Sequence, residues 1–239
     1  EVKILDLNFE LLSLANNFIK NPENLNSYMK SYEIKASDNK NYLNYEYDEK
    51  SFKLLDNQTI QAIPIEDLML PKLNEVIKNF QPNMVGITCM FTMTHKRMLR
   101  IAQKIKQYSN DIVVFAGGVH PTSSAELILK EEKSINFISL YEGDQSIPQL
   151  IDYLNKKNTD VKSLRQIGIL INNKYYQTDG RIHPEGTYLN VKPEYGNLKI
   201  DEYSNFGEIG AYRFWWKKNT IASTILSNRG CRARCSFCS

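Results

Sequence analysis

The chain has 239 residues, of which 42% are hydrophobic and 24% charged, a balance that excludes disordered and fibrous classes. Its formal net charge of +3 is too small to indicate a nucleic-acid or membrane-surface partner, and no apolar run reaches the length of a membrane span. Three of the four cysteines lie together near the end of the chain, whereas a secreted disulfide framework would spread them. We therefore expect a cytoplasmic protein without nucleic-acid or membrane partners.

The first part of the chain predicts one strand and two helices. The apolar run Val2–Leu7 predicts a strand, and apolar residues at helical spacing follow as far as Phe18. Residues 20–60 are rich in Asn, Lys, Tyr and Ser, which predicts a surface insertion of short helices and loops. The stretch Ile65–Phe80 then predicts a helix with one apolar face.

Strand and helix alternate three times in the middle of the chain. Continuous apolar runs predict strands that are buried on both faces at Met84–Met90, Asp111–Ala116 and Ile135–Leu140. Helical patterns follow them at Thr94–Tyr108, Ser123–Lys130 and Ile147–Leu154, the second opened by a capping box from Ser123 to Glu126. This alternation predicts an α/β fold with a doubly wound parallel sheet of Rossmann type.

Ligands of doubly wound sheets bind at the carboxyl ends of the strands. The loops predicted at that edge are residues 90–95, 117–122 and 141–144. Glycines at Gly117 and Gly118 would let a bulky cofactor approach the backbone closely.

After the alternating region the pattern changes to short strands. Residues 166–178 predict a β-hairpin turning at Asn172 and Asn173. Residues 179–219 contain Pro184, Pro193 and several glycines and predict a linker. The run Thr220–Ser227 predicts a further strand, whose carboxyl end leads to the clustered cysteines.

The cysteines Cys231, Cys235 and Cys238 have Cx3CxxC spacing directly after a glycine. Three thiolates from one tight loop would leave one iron of a four-iron cluster open, whereas a four-cysteine cluster is closed and mainly carries electrons. A zinc site or a chance grouping of buried thiols is the alternative, but zinc needs a second pair of ligands. The remaining cysteine is Cys89, and no histidine follows His183.

The segment from Arg229 to Cys238 reads Arg-Gly-Cys-x3-Cys-x-Phe-Cys and resembles the cluster loop of the radical S-adenosylmethionine enzymes. The resemblance implies that the loop follows the first strand of a partial β/α barrel and holds a 4Fe–4S cluster. It implies that S-adenosylmethionine binds the open iron and is cleaved by one electron to a 5′-deoxyadenosyl radical. It also implies that Phe237 contacts the adenine, with packing beneath the loop as the alternative.

The region Met84–Leu154 resembles the cobalamin-binding domain that precedes the barrel in one large class of these enzymes. The matching points are the Gly-Gly-x-His-Pro-Thr segment that ends at Thr122 and the Glu142-Gly-Asp turn. In that class the loop after the third strand, here Met90–His95, meets the lower face of cobalamin. The cofactor contacts that the resemblance implies are Met90, Thr92, Thr94, Gly117, Gly118, His120, Thr122, Glu142 and Gly143.

The Asp-x-His-x-x-Gly motif of proteins that bind cobalt through histidine is absent, so we assign no histidine to cobalt. We expect His120 to contact the corrin or its nucleotide tail, with a structural contact at a helix N-terminus as the alternative. We predict that Cys89 packs as a small buried hydrophobe. No residue is assigned a catalytic role.

Three parts follow from this pattern: a Rossmann-like cobalamin-binding domain at 1–160, a hairpin and linker at 161–219, and a truncated barrel start at 220–239. Because the chain opens on Glu1 and stops one residue after Cys238, we expect a piece of a longer protein. The run Val2–Leu7 resembles the second strand of the cobalamin-binding domain, and the Asn-Pro-Pro loop that usually follows the first strand is not present, which implies that a central strand is missing. A barrel needs about 200 residues or more, so we expect this piece alone to be inactive.

The resemblance implies a cobalamin-dependent radical S-adenosylmethionine enzyme acting on a small molecule. Methyl transfer is the most frequent reaction of that class, and the cofactors carry the difficult chemistry. A flavodoxin or ferredoxin would supply the electron. Two alternatives stay open: a radical enzyme whose sheet is a scaffold without cobalamin, and an iron–sulfur module for electron transfer.

Overall fold

The computed structural model describes residues 1–21, 23–33, 65–157, 160–178, 180, 196 and 198–203. The chain divides into two compact units, one formed by Glu1–Pro71 with Glu194–Ser239 and the other by Lys72–Pro193. Among the described helices, none is long and apolar enough to cross a membrane.

The described helices are α1 (Leu7–Lys20), α2 (Glu23–Ser31), α3 (Ile65–Phe80), α4 (His95–Tyr108), α5 (Val119–Ser123), α6 (Ala125–Glu131), α7 (Gly143–Leu154) and α8 (Ile200–Tyr203). The strands are β1 (Met84–Thr88), β2 (Val113–Gly117), β3 (Phe137–Ser139), β4 (Ile167–Ile171) and β5 (Lys174–Gln177). Short 3₁₀ turns lie at Thr92–Thr94 and Val161–Ser163.

The predicted strand at Val2–Leu7 is wrong, because residues 1–6 have no regular structure and α1 begins at Leu7. Val2 is 85% exposed and Ile4 44%, so the apolar run buries no face. The Asp6 carboxylate accepts hydrogen bonds from two backbone N–H groups of the first helical turn, both at 3.1 Å. An aspartate in this N-cap position satisfies donors that a helix leaves open, and it begins the helix where the pattern predicted a strand.

The first unit has a small core between α1, α2 and the start of α3. Its buried residues are Phe18, Leu25, Met29 and Leu68. The Tyr28 hydroxyl donates to the Leu68 carbonyl oxygen at 2.9 Å, which ties α2 to α3. The ring of Phe9 packs edge-on against that of Tyr203, and the Tyr203 hydroxyl donates to the Asp6 carboxylate. Burial and then this hydrogen bond raise the pKa of Tyr203.

The second unit contains one five-stranded sheet in the order β1-β2-β3-β4-β5. The first three strands are parallel and β4 and β5 are antiparallel, so the predicted α/β class is confirmed and the sheet is mixed. The predicted hairpin is confirmed at Asn172 and Asn173, whose φ angles of 50° and 62° suit a tight hairpin turn. It is not a separate linker element, because β4 pairs directly with β3.

Helices cover both faces of this sheet, as the doubly wound prediction requires. One face packs Phe115, Phe137 and Ile167 against Leu150 of α7. Successive strand residues point to opposite faces, so Val114, Ala116 and Ile138 lie on the other face, where they are fully buried. The helix α6 lies against β3, β4 and β5. None of its residues belongs to the group that packs around Phe115, Phe137 and Ile167, so α6 covers the second face.

The helix predicted after β2 begins earlier than its sequence pattern indicates. The predicted capping box at Ser123 is wrong, because Ser123 already lies at the end of α5 and its hydroxyl donates back to the Val119 carbonyl at 2.7 Å. The next helix, α6, begins at Ala125 without a side-chain cap. Similarly, α7 begins at Gly143, four positions before the predicted start at Ile147.

The turn after β2 depends on glycine at one position of the Gly117–Gly118 pair. Gly118 has a φ of 109°, and a Cβ added there would lie 2.6 Å from the Cys89 carbonyl oxygen. A Cβ added to Gly117 would meet the Ser139 carbonyl oxygen at 3.5 Å, which is an ordinary contact. Glycine is therefore required at position 118, because the backbone carbonyl of Cys89 lies too close to leave room for a side chain.

Gly118→Ala should lower the free energy of unfolding by about 2 kcal/mol or more, because it adds backbone strain to a steric clash. The matched control, Gly117→Ala, should change it by less than about 1 kcal/mol. Urea denaturation followed by circular dichroism measures both. Equal effects of the two substitutions would contradict the assignment of the requirement to Gly118.

Candidate functional site

The loops after β1, β2 and β3 meet at one edge of the sheet, as predicted from the parallel arrangement of the strands. The His120 backbone N–H donates to the Cys89 carbonyl at 3.3 Å, which joins the first loop to the second. The Tyr141 backbone N–H donates to Thr122 Oγ1 at 2.9 Å, which joins the second loop to the third. Hydrogen bonds therefore connect the three segments at the carboxyl edge.

The loop after β1 turns its polar side chains inward. The Thr94 hydroxyl donates to the Phe91 carbonyl at 2.8 Å, and it is hydrogen-bonded to the Cys89 thiol at 3.2 Å. Cys89 is only 2% exposed, which confirms its prediction as a buried residue. The Thr94 hydroxyl, predicted as a cofactor contact, therefore forms its hydrogen bonds within its own loop.

The loop after β3 is held by a hydrogen bond to Thr122 in the neighbouring segment and by a buried hydrogen bond between β3 and α7. The Thr122 hydroxyl donates to the Gly118 carbonyl at 2.9 Å while accepting from the third loop, so it acts as a bridge. The buried Ser139 and Ser146 hydroxyls are hydrogen-bonded at 3.0 Å. Glu142 lies in the N-cap position of α7, and Gly143 is its first helical residue. The predicted contacts in this loop therefore sit on a rigid helix start.

Large apolar side chains are exposed in the loops after β1 and β3 and at the start of α5. Met90, Phe91, Met93, Val119 and Tyr141 are all exposed. Monomeric proteins rarely expose contiguous apolar surface unless it binds a ligand or a partner. Of these five, only Met90 was among the predicted contacts. The other four could have been found as apolar residues outside the regular apolar patterns of the strands and helices. A search for periodic patterns does not select such residues.

His120 lies at the centre of a chain of hydrogen-bonded side chains. Its Nδ1 is 3.2 Å from Thr92 Oγ1, and its Nε2 is 2.8 Å from His95 Nδ1. The other nitrogen of His95 lies 3.2 Å from Glu131 Oε2. The sequence prediction missed the participation of His95 and Glu131, since they are 36 positions apart and follow no common pattern.

The environment of His120 disfavours the charged form of its imidazole. Its side chain is 5% exposed, and desolvation followed by repulsion from His95 lowers the pKa of His120. Both ring nitrogens have partners inside the protein. The contact of His120 with a cofactor and the assignment of no histidine to cobalt both stay predictions.

The predicted cluster ligands Cys231, Cys235 and Cys238 lie outside the described residues. So do Phe237 and the predicted strand Thr220–Ser227. Within the part of the chain that the structure describes, no group of three or more His, Cys, Asp or Glu side chains is arranged to hold a metal ion. The iron–sulfur ligation therefore stays a prediction from the sequence.

Comparison with known proteins finds a family match for the region that contains β1–β3. Residues 56–151 match the model of the B12 binding domain. The chain is 26% identical over 181 residues to an uncharacterized methyltransferase of Pyrococcus horikoshii, which covers 73% of this chain and 35% of the relative. It is 27% identical over 181 residues to the anaerobic magnesium-protoporphyrin IX monomethyl ester cyclase of Rubrivivax gelatinosus, which covers 72% of this chain and 30% of that relative. The chain thus spans about a third of the length of these curated relatives, at 35% and 30%. The match confirms the resemblance of the region Met84–Leu154 to a cobalamin-binding domain.

Proposed function

We propose that the chain binds cobalamin at the carboxyl edge of β1–β3 and forms the front part of a cobalamin-dependent radical S-adenosylmethionine enzyme. The observation that carries the proposal is the match of residues 56–151 to the B12 binding domain, over a sheet whose three loops gather at the ligand-binding edge. The cysteine loop supports the radical part of the proposal through its spacing.

The exposed apolar side chains fit a large, flat ligand. Met90, Phe91 and Met93 come from one loop, and Val119 and Tyr141 extend the same surface. Covering apolar surface stabilises a complex by about 25 cal/mol per Å². The polar side chains behind this surface already have partners, so the edge would bind chiefly through shape and apolar contact.

Cobalamin, when bound, supplies a carrier for a methyl group, and the protein orients it. The loop Met90–Thr94, held by Thr94 and Cys89, would position its apolar side chains under the corrin. Farther along the chain, Cys231, Cys235 and Cys238 would hold a 4Fe–4S cluster, with Phe237 against the adenine of S-adenosylmethionine.

Methyl transfer to a small molecule is the reaction we propose for the whole protein. The printed name of the Pyrococcus relative, a methyltransferase, supports it, while the Rubrivivax relative is named a cyclase. A cytoplasmic flavodoxin or ferredoxin would supply the electron, and no nucleic acid or membrane would take part.

Titration of the chain with hydroxocobalamin should change the absorption spectrum of the cofactor. Met93→Lys should weaken binding about tenfold, because a charge replaces apolar contact in the loop. Leu127→Lys is the matched control, since Leu127 is 62% exposed and Met93 64%, and Leu127 lies on α6 outside the three loops. The control should stay within about twofold of the unchanged chain. Equal weakening by both substitutions would contradict the placement of the site.

A scaffold without cobalamin is the second candidate, and specific contacts favour it. Both nitrogens of His120 and the Thr122 and Thr94 hydroxyls bond within the protein. A sheet with a purely structural role would be expected to have polar side chains that form hydrogen bonds within the protein in this way. The absence of any spectral change with hydroxocobalamin would support this candidate over the first.

Anaerobic reconstitution with iron and sulfide should give the chain the visible absorbance of an iron–sulfur cluster. Cys235→Ala should abolish it, because the loop then offers too few thiolates. Cys89→Ala is the control and should retain it, since Cys89 is buried at the end of β1. Retention of full absorbance by Cys235→Ala would remove the cysteine loop from the proposal.

A further inference from the structure

The hydrogen-bonded chain Thr92–His120–His95–Glu131 links the ligand edge to solvent. Thr92 lies exposed in the first loop, and the Glu131 side chain at the end of α6 is 50% exposed. Between them, His120 is buried and the His95 side chain is 17% exposed. The three hydrogen bonds, at 3.2, 2.8 and 3.2 Å, connect the 3₁₀ turn, α5, α4 and α6 without interruption.

The carboxylate fixes the direction of every hydrogen bond when both histidines are neutral. An ionised carboxylate only accepts, so His95 Nε2 carries a proton and donates to Glu131. The other nitrogen of a neutral His95 must then accept, which places the proton of His120 on Nε2. His120 Nδ1 accepts in turn, so the Thr92 hydroxyl donates to it. Thr92 therefore presents only lone pairs to a ligand at the edge.

One added proton reverses the Thr92–His120 and His120–His95 hydrogen bonds and leaves the direction of the His95–Glu131 hydrogen bond unchanged. A proton accepted by Thr92 Oγ1 releases the hydroxyl proton of Thr92 to His120 Nδ1, and His120 Nε2 passes its proton to His95 Nδ1. Only N–H and O–H bonds form and break, and no oxidant or reductant is needed. The positive charge ends on His95, whose Nε2 lies 3.2 Å from the Glu131 carboxylate.

We propose that these four residues form a proton relay that accepts a proton from a water or hydroxyl group of the ligand beside Thr92 and holds it on His95. The proposal rests on the proposed function, because it needs a ligand at the carboxyl edge. His95 and Glu131 are positioning residues in this relay, since they act on the ligand through Thr92. Each of the four residues is hydrogen-bonded directly to the next, which supports the relay. The lowered pKa of His120 agrees with a charge that rests on His95.

Other charged groups on the packed helices bear on any pH dependence. The Lys130 ammonium is paired with Glu126 at 2.6 Å, and Glu132 accepts from the Gln103 amide and the Ser134 backbone. The remaining charged residues near the start of α4 are Lys96, Arg97 and Arg100. Among the charged side chains that the structure describes, apart from the histidines themselves, Glu131 is the one with a hydrogen bond to either histidine.

Nitrogen-15 NMR of histidine-labelled chain tests the relay without cobalamin. The chain has three histidines, and His183→Asn leaves only the pair in question. On lowering the pH, His95 should gain its second N–H proton in the same transition in which His120 changes from the Nε2–H to the Nδ1–H tautomer. A His120 that keeps its tautomer while His95 titrates would overturn the proposal.

Matched carboxylate variants separate a relay from a structural link. Glu131→Gln can donate as well as accept at His95 Nε2, so the single direction of the hydrogen bonds should be lost and nitrogen-15 NMR at neutral pH should show both tautomers of His120. Glu126→Gln alters another exposed carboxylate of α6 and should leave the His120 tautomer unchanged. Equal tautomer mixtures in both variants, or an unchanged tautomer in Glu131→Gln, would contradict a role for Glu131 in fixing the hydrogen bonds.

Thr92 variants test the connection to the ligand. The affinity of the chain for hydroxocobalamin should change across the pH range of the tautomer switch. Thr92→Val should remove that dependence, and Thr92→Ser should restore it. If hydroxocobalamin fails to bind, the proposed function fails while the NMR result still decides whether the relay exists. Binding with the same pH dependence in Thr92→Val would show that no proton passes through Thr92.

Discussion

The close approach of the Gly118 backbone to the Cys89 carbonyl is the constraint on which the carboxyl edge depends. It requires a φ of 109° at Gly118, and the same carbonyl accepts the His120 backbone N–H. This contact fixes the start of α5 against the end of β1. The His120 ring can then reach both Thr92 and His95, so the hydrogen-bonded chain exists because two backbones touch.

The polar and apolar groups of this edge are arranged in opposite senses. Hydroxyls and imidazoles bond inward and hold the loops together, while Met90, Phe91 and Met93 face outward. Because the polar groups already have partners, ligand binding would not have to reorganise them, and little ordering entropy would be lost. A preformed edge with an apolar surface suits a large rigid cofactor better than a small polar metabolite.

The parts of the fold that depend on local pattern were predictable from the sequence. The alternation from Met84 to Leu154 identified three parallel strands and the three loops at one edge. The strand predicted at Val2–Leu7 failed because an apolar run does not reveal whether a partner strand lies beside it. The capping box at Ser123 failed because α5 begins upstream, at a glycine whose backbone conformation no side-chain pattern announces.

The site was predictable only in part, for a related reason. Resemblance selected residues such as Thr92 and His120, but it did not show that they bond to each other. The contact of His95 with Glu131 joins residues on different helices and follows from tertiary packing alone. The hairpin at Asn172 and Asn173 was evident from turn chemistry, whereas its pairing with β3 required the assembled sheet.

The hydrogen bond between Tyr203 and Asp6 has a consequence for the order of folding. It joins residues 197 positions apart, and the loop it closes contains the whole second unit. Contacts within that unit form between nearer residues, so it can assemble while the chain is still being synthesised. The first unit completes only when α8 has emerged, and until then the Phe9 ring lacks its aromatic partner. The helix α1 is therefore among the last of the described elements to gain its tertiary contacts.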